Sequence, residues 1–233
     1  MTTLLVITAI VAAALIIGAV WGAYLNLPKP VEGFLVALAG GALIVSVMGE
    51  LIEPAADVAP LWAVMLVVIL GALTFTGLDA AVEWGFGKTS GGLGLLVAIT
   101  LDGIPENLAL GVALIGADPL AVAALAGSIV LSNLPEAAGG ARAMAADDRS
   151  PLRVVLIWTL TAAILSTATV AGYALLTDAP DATIGLIKCF AAGAVAASLA
   201  TEVFPKAFKE DHLWSGVAVA LGLVVAFGLS ELS

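Results

Sequence analysis

The chain has 233 residues and a formal net charge of −10; 62% of its residues are hydrophobic and 11% are charged. A soluble globular domain is about a quarter charged, and the apolar excess here falls in blocks of roughly 20 residues, enough to cross a hydrocarbon core about 30 Å thick. These values exclude an ordinary soluble domain, and the lack of a basic stripe excludes nucleic acid as a partner.

The expectation is one all-α domain over residues 1–233, integral to a lipid bilayer. Its first block, LLVITAIVAAALIIGAVWGAYL, is too long for the apolar part of a signal peptide and has no basic residue before it. It reads as a span. Breaks that combine Pro or Gly with charge then give eight predicted spans, near 3–24, 33–55, 61–82, 91–115, 120–144, 153–176, 183–205 and 213–231. Lys29, Lys88, Arg142, Arg149, Arg153, Lys206 and Lys209 fall at alternate breaks, and the opposite loops hold Asp57, Asp118, Asp178 and Asp181. The positive-inside rule therefore predicts both termini outside. Trp21, Trp62, Trp84, Trp158 and Trp214 lie near predicted span ends and read as interfacial anchors. Lys188 and the single cysteine, Cys189, fall inside span seven, where the cysteine reads as a small buried residue.

Spans two and seven echo one another. GALIVSVMGELIEPA and GAVAASLATEVFPKA each open Gly-Ala and place a glutamate nine residues after the glycine, Glu50 after Gly41 and Glu202 after Gly193, with Pro54 or Pro205 close behind. Spans four and five share L-x-x-[IL]-P-E, in LDGIPENLAL and LSNLPEAAGG. Echoes between antiparallel spans suggest an inverted-topology repeat, a common architecture of transporters with a midplane site.

The chemistry concentrates in spans four and five. Asp102 and Glu106 share a helix face at a spacing of four residues, as do Ser132 and Glu136, with Asn133 beside them. Asn107 is offset by about 100° and lines a cavity only where the helix is distorted. Pro105 and Pro135 supply distortion, because neither can donate to the carbonyls of Leu101 and Leu131, and a freed carbonyl in a membrane helix needs another partner. Gly103, Gly111, Gly139 and Gly140 are expected to let the two backbones approach. Each carboxylate at the membrane centre costs about 2.5–3.5 kcal/mol. Asp102, Glu106 and Glu136 would also repel one another unless protonated or bridged by a cation. A divalent ion meets both demands, and every candidate ligand is an oxygen.

At these residues the chain resembles the ZIP (Zrt-, Irt-like protein) family of divalent metal transporters. DGIPEN and SNLPEA stand where that family has H-N-x-P-E-G and a related motif, and TEVFPKA resembles its seventh-helix [HE]-E-[LI]-[IF]-P-E. The resemblance implies eight spans with both termini outside, inward transport by alternating access and a homodimer. Helices one, four, five and six would move against two, three, seven and eight. Asp102 would replace the usual histidine ligand, Glu106 and Glu136 would match the two glutamates and Asn133 the amide, and Ser132 would take the place of a stronger ligand. Glu202 would lie near the inner exit, and Glu50 and Glu53 near the outer entrance. Gly103 stands where the family has asparagine, so one metal site is favoured over two. Zinc is the family's default cargo, while an all-oxygen site admits harder ions such as manganese or iron.

No prosthetic group is expected, and the predicted location is a prokaryotic cell membrane. Two other readings use the same acids. One is a proton-coupled carrier of an organic cation or other small solute. The other is an intramembrane enzyme with Asp102 and Glu106 as acid and base, weakened by the lack of a nucleophile–base pair; a non-enzyme is the expectation.

Overall fold

Helix dominates the computed structural model, which describes residues 1–25, 28–86, 92–116, 122–147 and 149–231; no strand occurs among them. The helices form eight rods: α1 (Thr2–Tyr24), α2 (Lys29–Val58), α3 (Leu61–Phe86), α4 (Gly92–Ala113), α5 (Ala123–Ala146), α6 (Pro151–Leu176), α7 (Asp181–Glu210) and α8 (Ser215–Ser230). Among the described residues five stretches are long and apolar enough to cross a membrane: α1, α2, Leu61–Val82 of α3, α6 and α7. The remaining rods are α8, which is apolar but short, and α4 and α5, which carry the polar residues singled out above.

Rods α2 and α7 run past the predicted ends of spans two and seven, because each contains a wider turn. Val47–Ile52 and Leu199–Val203 are π-helical. In each, the closing amide reaches five residues back, Glu53 N–H to the Met48 carbonyl and Phe204 N–H to the Leu199 carbonyl. The extra residue lets each helix absorb the following proline, Pro54 or Pro205, without ending. Glu50 and Glu202 lie in these turns, so the sequence echo is also a structural one.

The packing repeats likewise. Exchanging α1 with α6, α2 with α7, α3 with α8 and α4 with α5 maps the main helix pairs onto each other: α1–α5 onto α6–α4, α2–α8 onto α7–α3, and α2–α5 onto α7–α4. Glycines mark the register. A methyl at Gly41 would strike the Val219 carbonyl, and one at Gly222 the Leu38 carbonyl. In the matching pair, Gly193 abuts the Val68 carbonyl and Gly71 the Phe190 carbonyl. Each carbonyl lies three residues before the partner glycine. Such close backbone contact is available only to residues without a side chain.

Three expectations change. Gly103 and Gly111 do not serve an α4–α5 approach, since they face Leu165 and the Thr169 carbonyl of α6; Gly139 faces Glu32 of α2. Trp158 is no interfacial anchor. It is fully buried among Leu15, Ala19, Ala137 and Ala141, small and medium side chains of α1 and α5 that leave room for an indole. Rod α7 continues through Lys206 and Lys209, which the sequence assigns to a loop. Cys189 is fully buried, beside Ala55, Ala59 and Val64.

Candidate functional site

Rods α4 and α5 pack on each other and carry Pro105 and Pro135 within their helical runs. Glu106, Asn107, Ser132 and Asn133 are buried, and Glu136 is half-buried. The side chain of Asp102 lies outside the described residues. Polar atoms in such surroundings need partners, and following those partners separates the six candidate ligands.

Asn107 is committed to helix packing. Its amide donates to the Gly103 carbonyl at 2.8 Å and accepts from the Thr169 hydroxyl of α6 at 3.1 Å. Ser132 donates to the Ile129 carbonyl at 3.2 Å, one turn before Pro135. Asn133 is different. Its side chain is 2% exposed, and its Nδ2 has no hydrogen-bond partner among the described residues. Buried donors are rarely left so.

Glu136 faces the end of the molecule where Lys29, Arg142 and Lys206 lie. The charges of Lys206, Glu202 and Glu32 act on it. Two of the predicted residues, Glu136 of α5 and Glu202 of α7, are therefore in one electrostatic neighbourhood. Glu50 belongs to another, next to Lys188 of α7. Beside it opens a cleft of about 540 Å³, lined by Glu50, Glu53, Ser230 and Glu231 together with Met48 and Phe227. Glu53 is exposed there. Among the described residues no three His, Cys, Asp or Glu side chains are grouped closely enough to hold a metal ion.

Sequence reasoning misses the charged cluster at the first of these ends. Glu32 is 2% exposed at the start of α2. Arg142 Nη2 of α5 donates to its Oε2 at 2.7 Å, and Lys206 Nζ of α7 lies 3.4 Å from Oε1. Gly139 provides the space, for any side chain there would meet the Glu32 carboxylate. A second ion pair, Lys29 with Glu210 at 3.4 Å, is more exposed. The one signal in the sequence was the helical spacing of Gly139 and Arg142, three residues apart and hence on one face.

No family model matches this chain, and no curated protein does.

Proposed function

We propose that this protein carries divalent metal cations into the cytoplasm, in the manner of the ZIP transporters that its motifs resemble. The observation carrying this reading is Asn133. It is a buried amide with an unpaired donor among the described residues, on a proline-broken helix, one turn from Glu136 and packed against the helix of Glu106. A site built for an absent ligand leaves such a group idle. Turning the amide over would offer its oxygen to a cation, since the two ends of an Asn side chain are distinguished only by their partners.

In this reading Asp102, Glu106, Asn133 and Glu136 bind the ion with help from Ser132, and Asn107 holds α4 to α6 behind them. Glu50 and Glu53 line the entrance, and Glu202 lies on the way out. The repeated packing supports an inverted-repeat carrier; eight spans with both termini outside follow from the one-sided basic residues, and a homodimer in a prokaryotic cell membrane completes the reading by resemblance. Zinc is the cargo by resemblance; the all-oxygen ligand set favours manganese or iron.

A proton-coupled carrier of an organic cation is the second reading. Lys206, whose charge acts on Glu136, favours it. For the enzyme reading, the Ser132 hydroxyl proton is already engaged by a backbone carbonyl.

The test is metal flux into liposomes holding the purified chain, with Zn²⁺, Mn²⁺, Fe²⁺, Mg²⁺ and Cd²⁺ compared. Saturable flux that falls at least about 10–100-fold in Glu106→Gln and Glu136→Gln is expected, since losing even a group that only orients a metal ligand costs that much. If a folded protein moves no metal, the proposal fails, and uptake of an organic cation driven by a pH gradient becomes the reading to adopt.

A further inference from the structure

The backbone-tight contacts divide the molecule into two sets of helices. Gly18 and Gly22 of α1 abut carbonyls of α5, and Gly111 of α4 and Gly172 of α6 abut each other's helix. These contacts, with α1 against α6, tie α1, α4, α5 and α6 together. In the other set, Gly41 and Gly222 lock α2 to α8, Gly193 and Gly71 lock α7 to α3, and Gly33 seats α2 on α7 at Ala207. Backbone seated on backbone has no rotamers with which to adjust, so each set is stiff.

The seam between the sets is made differently. Where α2 meets α5, the Ser46 and Ser128 hydroxyls lie 3.0 Å apart, and at the other end of the seam Arg142 donates to Glu32. Gly139 is the glycine that breaks the pattern. It faces the opposite set, and it faces a carboxylate instead of a carbonyl.

We propose that the Glu32–Arg142 pair, with Lys206 as the second partner of Glu32, is an ionic gate that closes the seam between the two helix sets at the end nearest Glu136. Three features suit it to this role. The pair spans α2 and α5, one member in each set. Glu32 is 2% exposed, so its attraction to Arg142 is little weakened by solvent. Lys206 belongs to the same set as Glu32, and its Nζ, buried and without a hydrogen-bond partner among the described residues, lies 3.4 Å from Glu32 Oε1. When the sets part, Lys206 stays with Glu32, so opening does not strand a bare carboxylate. Arg142 leaves with α5 and swings toward the exposed end of its helix, where water can solvate it. The gate rests on the transport reading only for the direction in which a cargo would pass.

Hydrogen–deuterium exchange of the full chain in lipid nanodiscs tests the gate without any metal. In Arg142→Gln, amides at the gate, residues 29–36 and 139–146, are expected to exchange at least about tenfold faster than in the unaltered chain. Those at the far end of the seam, 41–46 and 124–128, are expected to keep their rates. The triple variant Glu32→Gln/Arg142→Gln/Lys206→Met leaves no member of the cluster as a lone buried charge, and should show the same pattern even if the single variant folds poorly. Arg142→Lys, which keeps the charge, should restore most of the protection. Unchanged rates in the triple variant, or a rise spread evenly over both ends, would overturn the proposal. Exchange reports the gate and flux reports the cargo, so either can fail while the other stands.

Discussion

Asn133 is where the site can be questioned most directly. If the Asn133 amide, whose Nδ2 has no hydrogen-bond partner among the described residues, waits for a cation, replacing it with the similarly sized Leu removes an unsatisfied buried donor. Asn133→Leu is then expected to unfold at the same temperature as the unaltered chain, or higher, without metal. It should lose the rise in unfolding temperature that Mn²⁺ or Cd²⁺ gives the unaltered chain, because a ligand stabilises only what it binds. A variant that loses stability without metal and keeps the metal-induced rise would make Asn133 a packing residue. Individual residues of α4 and α5 were legible in the sequence because the P-E motif and the four-residue spacing mark them. Glu32, Arg142 and Lys206 were not. They lie beside breaks rich in Pro, Gly and charge, where a charged side chain ordinarily faces water, and only the tertiary contact with Gly139 shows otherwise. Trp158 misleads for a related reason: sequence gives its distance from a helix end but not the face it occupies.

At the scale of elements, the rods were legible because an apolar block must be helical in lipid to satisfy its own backbone. What sequence could not give was the continuity of α2 and α7. A proline followed by charge normally ends a helix, and here a π-turn removes the conflict. The echo between the two rods also has an energetic meaning. Gly41 and Gly193 occupy matching crossings, so substitutions there should cost similar amounts. Gly41→Leu and Gly193→Leu are each expected to destabilise by about 1–3 kcal/mol or more, as overpacked contacts do, and the double variant by close to the sum, since the crossings lie on different helix pairs. Thermal unfolding of the three purified variants would measure it. Unequal costs would mean that the matching crossings are not equally tight.

For the whole molecule, side assignment rests on the one-sided distribution of basic residues. The native cysteine is fully buried, so new cysteines can be labelled in the otherwise unaltered chain. Thr2→Cys is expected to react with a membrane-impermeant maleimide on intact cells, and Lys209→Cys only after the membrane is opened. The reverse order would place the Glu32 gate outside and turn the direction of transport around.

A molecule whose halves pack alike can adopt two related end states, one with the seam parted at each end, and perfect repetition would make them equal in energy. The residues that match Glu32 and Arg142 under the exchange are Ile184 and Val112, and those nearest to the match of Lys206 are Pro54 and Ala55; none carries a charge. Among the described residues, no ion pair at the matching positions of the far end corresponds to the contact of Glu32 with Arg142. Glu32, Arg142 and Lys206 therefore contribute to an inequality between the two end states, and each imbalance of about 1.4 kcal/mol alters their ratio tenfold. If the proposed gate holds, the ionic contact biases the empty molecule toward the state sealed at Glu32 and open beside Glu50. Under the proposed transport function, an empty carrier of this build would wait facing the side from which its cargo arrives.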